Sequence, residues 1–213
     1  MVVPVKPLGA AKSRLRGAAD QGIGEPSAHA RLALARAHDT GAAVRGAVRV
    51  GRLVVVSSDP LVAAELAAVG VEVVPDGPAA GLNEAYRHGA RLLGSARPVA
   101  ALQADLPALL PAEMDAALAA AWAVFAGGAA AAFCADAAGS GTTLLVAAPG
   151  RELDPLFGID SAARHRAAGA VELVGDWPGL RRDVDTADDL RAAAELGLGA
   201  HTRCVLAPST PGC

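Results

Sequence analysis

Aromatic side chains are scarce in this sequence: Phe, Trp and Tyr together make up 3% of its 213 residues. Proteins that bind single-stranded nucleic acids use such rings as platforms on which the bases stack. The formal net charge is -3, so the chain also lacks the excess of Lys and Arg that attracts a phosphate backbone. We therefore expect no nucleic acid as a partner.

Cysteine and histidine are also few. The three cysteines are odd in number and lack the spacing of a metal site, so we expect neither a disulfide framework nor a zinc centre. The five histidines are dispersed and form no metal motif and no Ser/His/Asp pattern. This cysteine usage is typical of a reducing compartment and predicts a cytoplasmic protein. The residues concerned are Cys134, Cys204, Cys213, His29, His38, His88, His165 and His201.

Only one long stretch carries no charge. It covers residues 116–135, and its twenty residues would be long enough to span a bilayer. Most of them are Ala, which is weakly apolar, and Gly127-Gly128 divides the stretch into a helix-like and a strand-like half. Cations interrupt the first fifteen residues, where the apolar core of a signal peptide would lie. We therefore expect a soluble protein without a membrane span.

Lysine is rarer still, and its position is informative. The only two lysines, Lys6 and Lys12, follow the β-branched run Val2–Val5, and Arg14 comes two residues later. The run predicts a short strand, and the loop after it offers the backbone N–H groups of residues 9–11. Fixed cations and backbone donors at a strand end can hold phosphate oxygens. The alternative is a strand followed by solvated cations. The glycine pattern of a Walker P-loop is absent.

Further along the chain, short apolar runs alternate with segments of helical periodicity. Strands separated by helices imply right-handed crossovers and a mainly parallel sheet of the α/β class. We expect strands at Leu53–Val56, Val71–Val74 and Val99–Gln103, and helices from Glu25 to Val48 and at Leu61–Val69, Leu82–Leu93 and Ala112–Ala123. Ligands of such sheets bind at the carboxyl ends of the strands.

The last third differs in pattern. Residues 129–134 and 142–147 flank a Gly-rich turn and predict an antiparallel pair added to the sheet. A short helix at 162–168, a strand at 180–184 and a helix capped by Thr186 should follow. We expect residues 1–200 to form a single domain and residues 201–213, rich in Pro, Ser, Thr and Gly, to form a poorly ordered tail.

Three carboxylates follow strands in this scheme. Asp105 comes directly after the run 99–103, and alternation would point Asp183 and Asp185 to the same side of a strand. Mg²⁺ takes a few carboxylate oxygens and completes its octahedron with waters and phosphate oxygens, so these positions suit a magnesium site. Alternatively, Asp105 caps the next helix, and the other two pair with Arg181 or Arg182.

Three Gly-containing segments could hold substrates. Gly77–Asn83 opens a helix, where backbone amides and the Asn83 side chain could contact a nucleotide, although Asn in this place is commonly only a cap. Gly141–Leu144 and Phe157–Ser161 offer hydroxyls and amides to a small phosphorylated acid. A turn followed by a helix cap at Ser161 is the alternative for the last two segments.

The run Pro4-Val-Lys-Pro-Leu8, followed by Ala11-Lys-Ser-Arg-Leu15, resembles the N-terminal signature of the 2-phospho-L-lactate/phosphoenolpyruvate guanylyltransferases. The Gly81-Leu-Asn83 and Asp183-Val-Asp185 stretches are similar to that family too. These enzymes make a precursor of the deazaflavin coenzyme F-420 and belong to the nucleotidyltransferases. The resemblance implies a Rossmann-like nucleotide-diphospho-sugar transferase fold. It also implies the transfer of a guanylyl group from GTP to the acceptor, with Mg²⁺ as cofactor and release of pyrophosphate.

The resemblance also implies roles for particular residues. Catalytic roles fall on Lys6, Lys12 and Arg14; nucleotide binding on Leu8, Gly9, Lys12, Gly81, Asn83 and Asp105; phosphoenolpyruvate binding on Thr143, Gly158 and Ser161; and metal binding on Asp105, Asp183 and Asp185.

This chain departs from the family pattern at two positions of the acceptor segment. Asp160 stands where a small residue is common, and Ala162 where an aromatic is common. The acceptor therefore stays open among phosphoenolpyruvate, 2-phospho-L-lactate and 3-phospho-D-glycerate, as does a homodimer. Two other functions also stay open: a related nucleotidyltransferase acting on molybdopterin or a sugar phosphate, and a nucleotide-binding module without catalysis.

Overall fold

The structure is a computed structural model that describes residues 1–10, 15, 18 and 25–207. Its strands are β1 (Val2–Pro4), β2 (Val54–Val56), β3 (Glu72–Val74), β4 (Val99–Leu102), β5 (Ala131–Ala135), β6 (Thr142–Ala147) and β7 (Val171–Glu172). Its helices are α1 (Pro26–Gly46), α2 (Pro60–Ala68), α3 (Leu82–Leu93), α4 (Pro111–Ala126), α5 (Ser161–Ala167), α6 (Pro178–Arg181), α7 (Ala187–Leu196) and α8 (Ala200–Leu206), and a 3-10 turn covers Leu8–Ala10.

The seven described strands form one sheet in the order β3-β2-β1-β4-β6-β5-β7. Strands β1, β2, β3 and β4 pair in parallel, β6 is antiparallel to both β4 and β5, and β7 is parallel to β5. Of these strands, β6 alone runs in the opposite direction. The expected α/β class, mainly parallel with an antiparallel addition, is therefore confirmed.

The sheet separates two apolar layers, because successive side chains of a strand point to opposite faces. Val3 and Val55 join the layer that also contains Met114 of α4, whereas Val2 and Val56 join the layer under α3. A methyl group on Gly89 of α3 would collide with Val2 and reach Val56 Cγ2 at 3.0 Å. Glycine at this position therefore lets α3 lie directly on strands β1 and β2.

Helix α8 corrects the expectation of a tail from residue 201. The helix packs on α1, and the buried carboxylate of Asp39 accepts hydrogen bonds from the backbone N–H groups of His201 (3.0 Å) and Thr202 (2.8 Å). A carboxylate that accepts from the first turn of a helix stabilises that turn, and this partner lies far away in the sequence. The tail as expected also included residues 208–213, which lie outside the described residues.

The strand expected at 180–184 is wrong. Pro178 begins the short helix α6, which takes Leu180 and Arg181, and residues 182–186 after it form neither helix nor strand. Proline favours the first turn of a helix because its φ is fixed and its missing N–H has no partner there. Thr186 caps α7 as expected: its hydroxyl accepts from the N–H of Asp189, and the Asp189 carboxylate accepts from the N–H of Thr186.

Across the described part of the chain, no helix combines the length and the apolar character that crossing a membrane requires.

Candidate active site

A cavity of about 560 Å³ opens at the carboxyl ends of β1 and β4. The strand order reverses between these two neighbours, which is where α/β sheets bind their ligands. Its walls are formed by Pro4, Val5, Lys6, Leu8, Ala33, Arg36, Ala37, Leu82, Gln103, Ala104, Asp105, Asp136, Ser140, Gly141, Thr142, Gly158, Ile159, Asp160, Ser161, Asp183 and Asp185. Segments from both halves of the sheet therefore meet at one opening.

A second cavity, of about 620 Å³, lies at the opposite ends of β1 and β4. Its wall includes Val48, Trp122 and three arginines, but its described lining contains no Asp or Glu. The metal chemistry that the sequence predicts needs carboxylates, so the first cavity is the candidate active site.

The first cavity brings together the three carboxylates that the sequence analysis selected. Asp105 follows β4, and Asp183 and Asp185 lie on the irregular segment between α6 and α7. Val184 is fully buried, and its N–H donates to the carbonyl of Asp105 at 3.0 Å. This bond ties the two segments together, and the residues on either side of Val184 reach the cavity.

Arg36 of α1 lies among these carboxylates and was not selected from the sequence. Its side chain is buried, and its Nη1 donates to the carbonyl of Val184. Burial lowers the pKa of the guanidinium, whereas the charges of Asp105, Asp185 and Asp183 raise it. Arg36 therefore faces all three acidic groups. Its position in the apolar stripe of α1, four residues after Leu32, is the signal that could have drawn attention to it.

The donor set agrees with a magnesium ion that arrives together with a nucleotide. All three side chains offer carboxylate oxygens, the ligand type that Mg²⁺ prefers. Within residues 1–10, 15, 18 and 25–207, however, no three His, Cys, Asp or Glu side chains are already arranged to hold a metal ion. Where Mg²⁺ binds together with a phosphorylated substrate, the protein commonly supplies only one or two carboxylates, and the substrate's phosphates and water supply the remaining ligands.

The N-terminal loop contributes Lys6 and Leu8 to the cavity wall. The N–H of Leu8 donates to the Asp59 carboxylate at 2.8 Å, which lowers the pKa of Asp59. This amide is therefore engaged within the fold, and Asp59 fixes the loop in place. Among the described residues, Gly9 is exposed and does not line the cavity, whereas Lys12 and Arg14 lie outside the described part of the chain.

The expected nucleotide segment reaches the cavity through Leu82; of the described lining residues, none is Gly81 or Asn83. Gly81 precedes α3 with a φ of 110°, a conformation that favours glycine. The side chain of Asn83 makes two hydrogen bonds with the backbone of Phe157: Oδ1 accepts from N–H at 2.9 Å and Nδ2 donates to the carbonyl at 3.1 Å. Asn83 therefore joins α3 to the loop that carries Gly158.

The expected acceptor segments lie on the other side of the cavity, where Gly158 and Ser161 form part of the wall. Thr143 is fully buried, and its hydroxyl donates to the carbonyl of Cys134 at 3.5 Å. Its neighbour Thr142 lines the cavity instead. Asp160 has a φ of 53°, the left-handed conformation that Asp tolerates better than most residues.

His165 of α5 supports this wall from behind and was also missed. Its Nδ1 lies 2.9 Å from the Thr142 hydroxyl, and its Nε2 accepts the N–H of Leu156 at 3.0 Å. Burial, helped by the charge of Arg164, lowers the pKa of His165 to about 4, against the opposing effects of Asp154 and the Ser161 backbone. The imidazole is therefore neutral at physiological pH. A lone histidine in a helix carries no sequence signal for such a role.

The phosphoenolpyruvate guanylyltransferase of Salinispora arenicola is 53% identical over 211 residues, covering 99% of this chain and 94% of its own length. The enzymes of that name from Geodermatophilus obscurus and Streptomyces coelicolor are each 53% identical and each cover 97% of this chain. No protein-family model matches the chain.

The fold is similar to those of solved nucleotidyltransferase structures. A protein assigned as a nucleotide-diphospho-sugar transferase from Desulfovibrio desulfuricans G20 gives a TM-score of 0.62 at 17% identity, covering 90% of this chain and 84% of its own. A nucleotidyl transferase from Methanothermobacter gives 0.59 at 19% identity, covering 92% and 97%. At these identities the likeness concerns the fold, and it agrees with the fold that the sequence analysis expected.

Proposed function

The chain belongs to the phosphoenolpyruvate guanylyltransferase family, and on that premise we propose that it transfers the GMP moiety of GTP to the phosphate of phosphoenolpyruvate. One structural observation carries the proposal. A single cavity at the carboxyl ends of β1 and β4 contains Lys6, the carboxylates of Asp105, Asp183 and Asp185, and the loop with Ser161. Cationic, acidic and hydroxyl groups thus surround one space that a triphosphate and a small acid can share.

In the proposed reaction, an oxygen of the acceptor phosphate attacks the α-phosphorus of GTP. The bond from that phosphorus to the bridging oxygen of the β-phosphate breaks, and pyrophosphate leaves with its electron pair. The acceptor oxygen is already an anion, so no general base is needed. The protein therefore has to align the two phosphates and neutralise their charge.

Different residues of this chain neutralise the charge of the phosphates and align the two substrates. Lys6 at the end of β1 would neutralise charge on the triphosphate, and we assign the same task to Lys12 and Arg14. Leu8, Gly9, Gly81 and Asn83 belong to the loop and helix start that we propose on the nucleotide side. Gly158, Ser161 and the Thr142–Thr143 pair lie on the acceptor side. We further propose that the enzyme is cytoplasmic and that the single domain expected over residues 1–200 extends through α8.

Asp105, Asp183 and Asp185 would hold the magnesium ion. When bound, Mg²⁺ supplies charge neutralisation at the reacting phosphates. Arg36 keeps the three carboxylates close together before nucleotide binds, because it offsets part of their mutual repulsion.

The test is a product assay. The protein is incubated with GTP, MgCl₂ and one acceptor at a time, pyrophosphate is measured, and the product is identified by mass. We expect pyrophosphate release and an enolpyruvyl diphosphoguanosine with phosphoenolpyruvate. The acceptors 2-phospho-L-lactate, 3-phospho-D-glycerate, a sugar phosphate and molybdopterin are run in parallel. Faster turnover with one of these would replace the proposed acceptor, and tight GTP binding without pyrophosphate release would indicate a non-catalytic module.

Paired variants test the metal assignment in the same assay. Asp105→Asn should abolish turnover while circular dichroism shows the fold intact. The matched control is Asp188→Asn, because Asp188 is an exposed carboxylate on α7 that pairs with Arg191. Normal magnesium-dependent turnover by Asp105→Asn would refute the assignment of Asp105.

A further inference from the structure

Two adjacent threonines stand at the beginning of β6, and the structure gives them different surroundings. The hydroxyl of Thr143 is directed at the carbonyl of Cys134 within the sheet. Thr142 forms part of the wall of the active-site cavity, next to Gly141 and close to Ser161 of the acceptor loop. Sequence position alone cannot distinguish the two, because both follow the same Gly-rich turn.

A β-bulge explains the difference. Cys134 pairs with Leu144, but the next residue of β5, Ala135, pairs with Thr142, so Thr143 is an extra residue without a partner in this ladder. Regular alternation would put Thr142 on the same face as Leu144. The bulge instead places Thr142 opposite Ala135, on the face that carries Phe133 and His165. Bulges beside active sites commonly redirect a side chain in this way.

His165 then fixes the orientation of the Thr142 hydroxyl. A backbone N–H can only donate, so the bond from Leu156 to Nε2 leaves the proton of the neutral imidazole on Nδ1. Nδ1–H therefore donates to Oγ1 of Thr142 across 2.9 Å. The hydroxyl has used one lone pair, and its own hydrogen has no acceptor among the described residues. That hydrogen is available to a ligand in the cavity.

Several backbone donors on this wall are already engaged. The Asp136 carboxylate accepts the N–H groups of Ser140 (3.0 Å) and Gly141 (2.8 Å). The N–H of Ser161 donates to the carbonyl of Gly158, and that of Ala162 to the carbonyl of Ser140. The Ala162 bond joins the two loops, whereas the other three bonds lie within one loop each. These four amides are not available to an anion, but a side-chain hydroxyl on this wall can donate to one.

We propose that Thr142 is a specificity-determining residue of the acceptor subsite: its hydroxyl, positioned by His165, donates a hydrogen bond to an oxygen of the phosphorylated carboxylic acid. The inference deepens the proposed function and rests on it. Within it, Thr142 touches the substrate and His165 is a positioning residue. A neutral donor suits this place, because Asp136 and Asp160 also line the cavity and a further anion would repel the acceptor.

The test compares steady-state kinetics of Thr142→Val, Thr142→Ser and Thr143→Val. Valine keeps the shape of threonine and removes the hydroxyl. A hydrogen bond to a charged group is strong enough that its loss should raise the acceptor KM of Thr142→Val by about tenfold, while the KM for GTP stays within about twofold. Thr142→Ser should behave like the parent protein. We expect the effect of Thr142→Val on acceptor KM to exceed that of Thr143→Val.

The control is Thr202→Val. Thr202 is fully buried in α8, remote from the cavity wall, so this variant makes the same chemical change and should leave both KM values unchanged. If Thr142→Val does not fold, Thr142→Ala is compared with Thr142→Ser in its place. An unchanged acceptor KM for the folded variant, or a larger effect from Thr143→Val, overturns the proposal.

The role of His165 has its own readout. The amide nitrogen of Asn can take the place of Nδ1–H, whereas Leu cannot donate. His165→Asn should therefore keep an acceptor KM well below that of His165→Leu, and equal values for the two variants would contradict the positioning role. These outcomes are separate from the proposed function. If the parent protein transfers GMP to no acceptor, the proposed function fails, whereas normal transfer with indifferent Thr142 variants overturns this inference alone.

Discussion

Arg36 offers the sharpest test of how the acidic cluster is held together. Arg36→Met keeps an unbranched apolar stem and removes the guanidinium that faces Asp105, Asp183 and Asp185. It also removes the donor to the carbonyl of Val184. Loss of a hydrogen bond made by a charged donor costs about 1.5–3 kcal/mol, and the three half-buried carboxylates also lose the cation that offsets their mutual repulsion. We expect the free energy of unfolding to fall by about that amount.

Magnesium should restore part of this loss. A cation that binds only the folded state adds stability as its concentration exceeds its dissociation constant, about 2.7 kcal/mol at a hundredfold excess. Without Arg36 the three carboxylates attract a divalent cation more strongly. We therefore expect MgCl₂ to stabilise Arg36→Met more than the parent protein. The difference in free energy of unfolding between the two proteins should then be smaller in MgCl₂ than in EDTA.

The assay is urea unfolding followed by circular dichroism, in EDTA and in MgCl₂ at equal ionic strength. The control is Arg191→Met, because Arg191 is an exposed arginine paired with Asp188 and should contribute at most about 1 kcal/mol. A loss below about 1 kcal/mol for Arg36→Met would refute the idea that its charge compensates the carboxylates. Equal stabilisation of both proteins by magnesium would refute the predicted competition between guanidinium and metal.

Three further predictions follow from packing and hydrogen bonds. Asn83→Ala removes both bonds to Phe157, each worth about 1 kcal/mol. Because Asn83 joins the helix start that we propose on the nucleotide side to the loop with Gly158, the variant should raise both the GTP dissociation constant measured by calorimetry and the acceptor KM; an unchanged acceptor KM would contradict a role of these bonds in positioning that loop. Gly89→Ala should destabilise by about 1–3 kcal/mol through overpacking between α3 and the sheet, and an unchanged urea midpoint would contradict that close approach. Folding lowers the pKa of His165 to about 4, so as the pH falls this histidine is protonated in the unfolded chain before it is protonated in the folded protein. His165 should therefore reduce the free energy of unfolding progressively from about pH 6.5 to pH 4. Urea midpoints measured against pH should fall less over this range for His165→Asn than for the parent protein.

Sequence patterns predicted most elements because local signals and packing agree there. Helix α3 runs from Leu82 to Leu93, as its periodicity indicates, and the Thr186 cap stands where its spacing to Asp189 places it. The failures lie where distant contacts decide. The bonds from Asp39 to α8 join residues more than 160 positions apart, and no local pattern reports them.

In the candidate site too, some residues can be predicted from local sequence signals, whereas others are placed by contacts between distant segments. Asp105 follows the apolar run of β4, so its place at the cavity could be predicted from the sequence. Asp183 and Asp185 also line the cavity, although α6 and an irregular segment stand where a strand was expected to carry them. Residues that act by bracing others were missed, since Arg36 and His165 resemble ordinary helix residues until the helices are packed. The register shift that separates Thr142 from Thr143 depends on the pairing of β5 with β6, which a single strand does not encode.

The attachment of the final described helix has a practical consequence for anyone shortening or labelling this polypeptide. Ending a recombinant version at residue 199 would strip Asp39 of both backbone donors and uncover the side of α1 that α8 now shields. Such a truncation resembles the removal of a core segment more than the trimming of a loose end, and an affinity tag is better joined beyond Ala207.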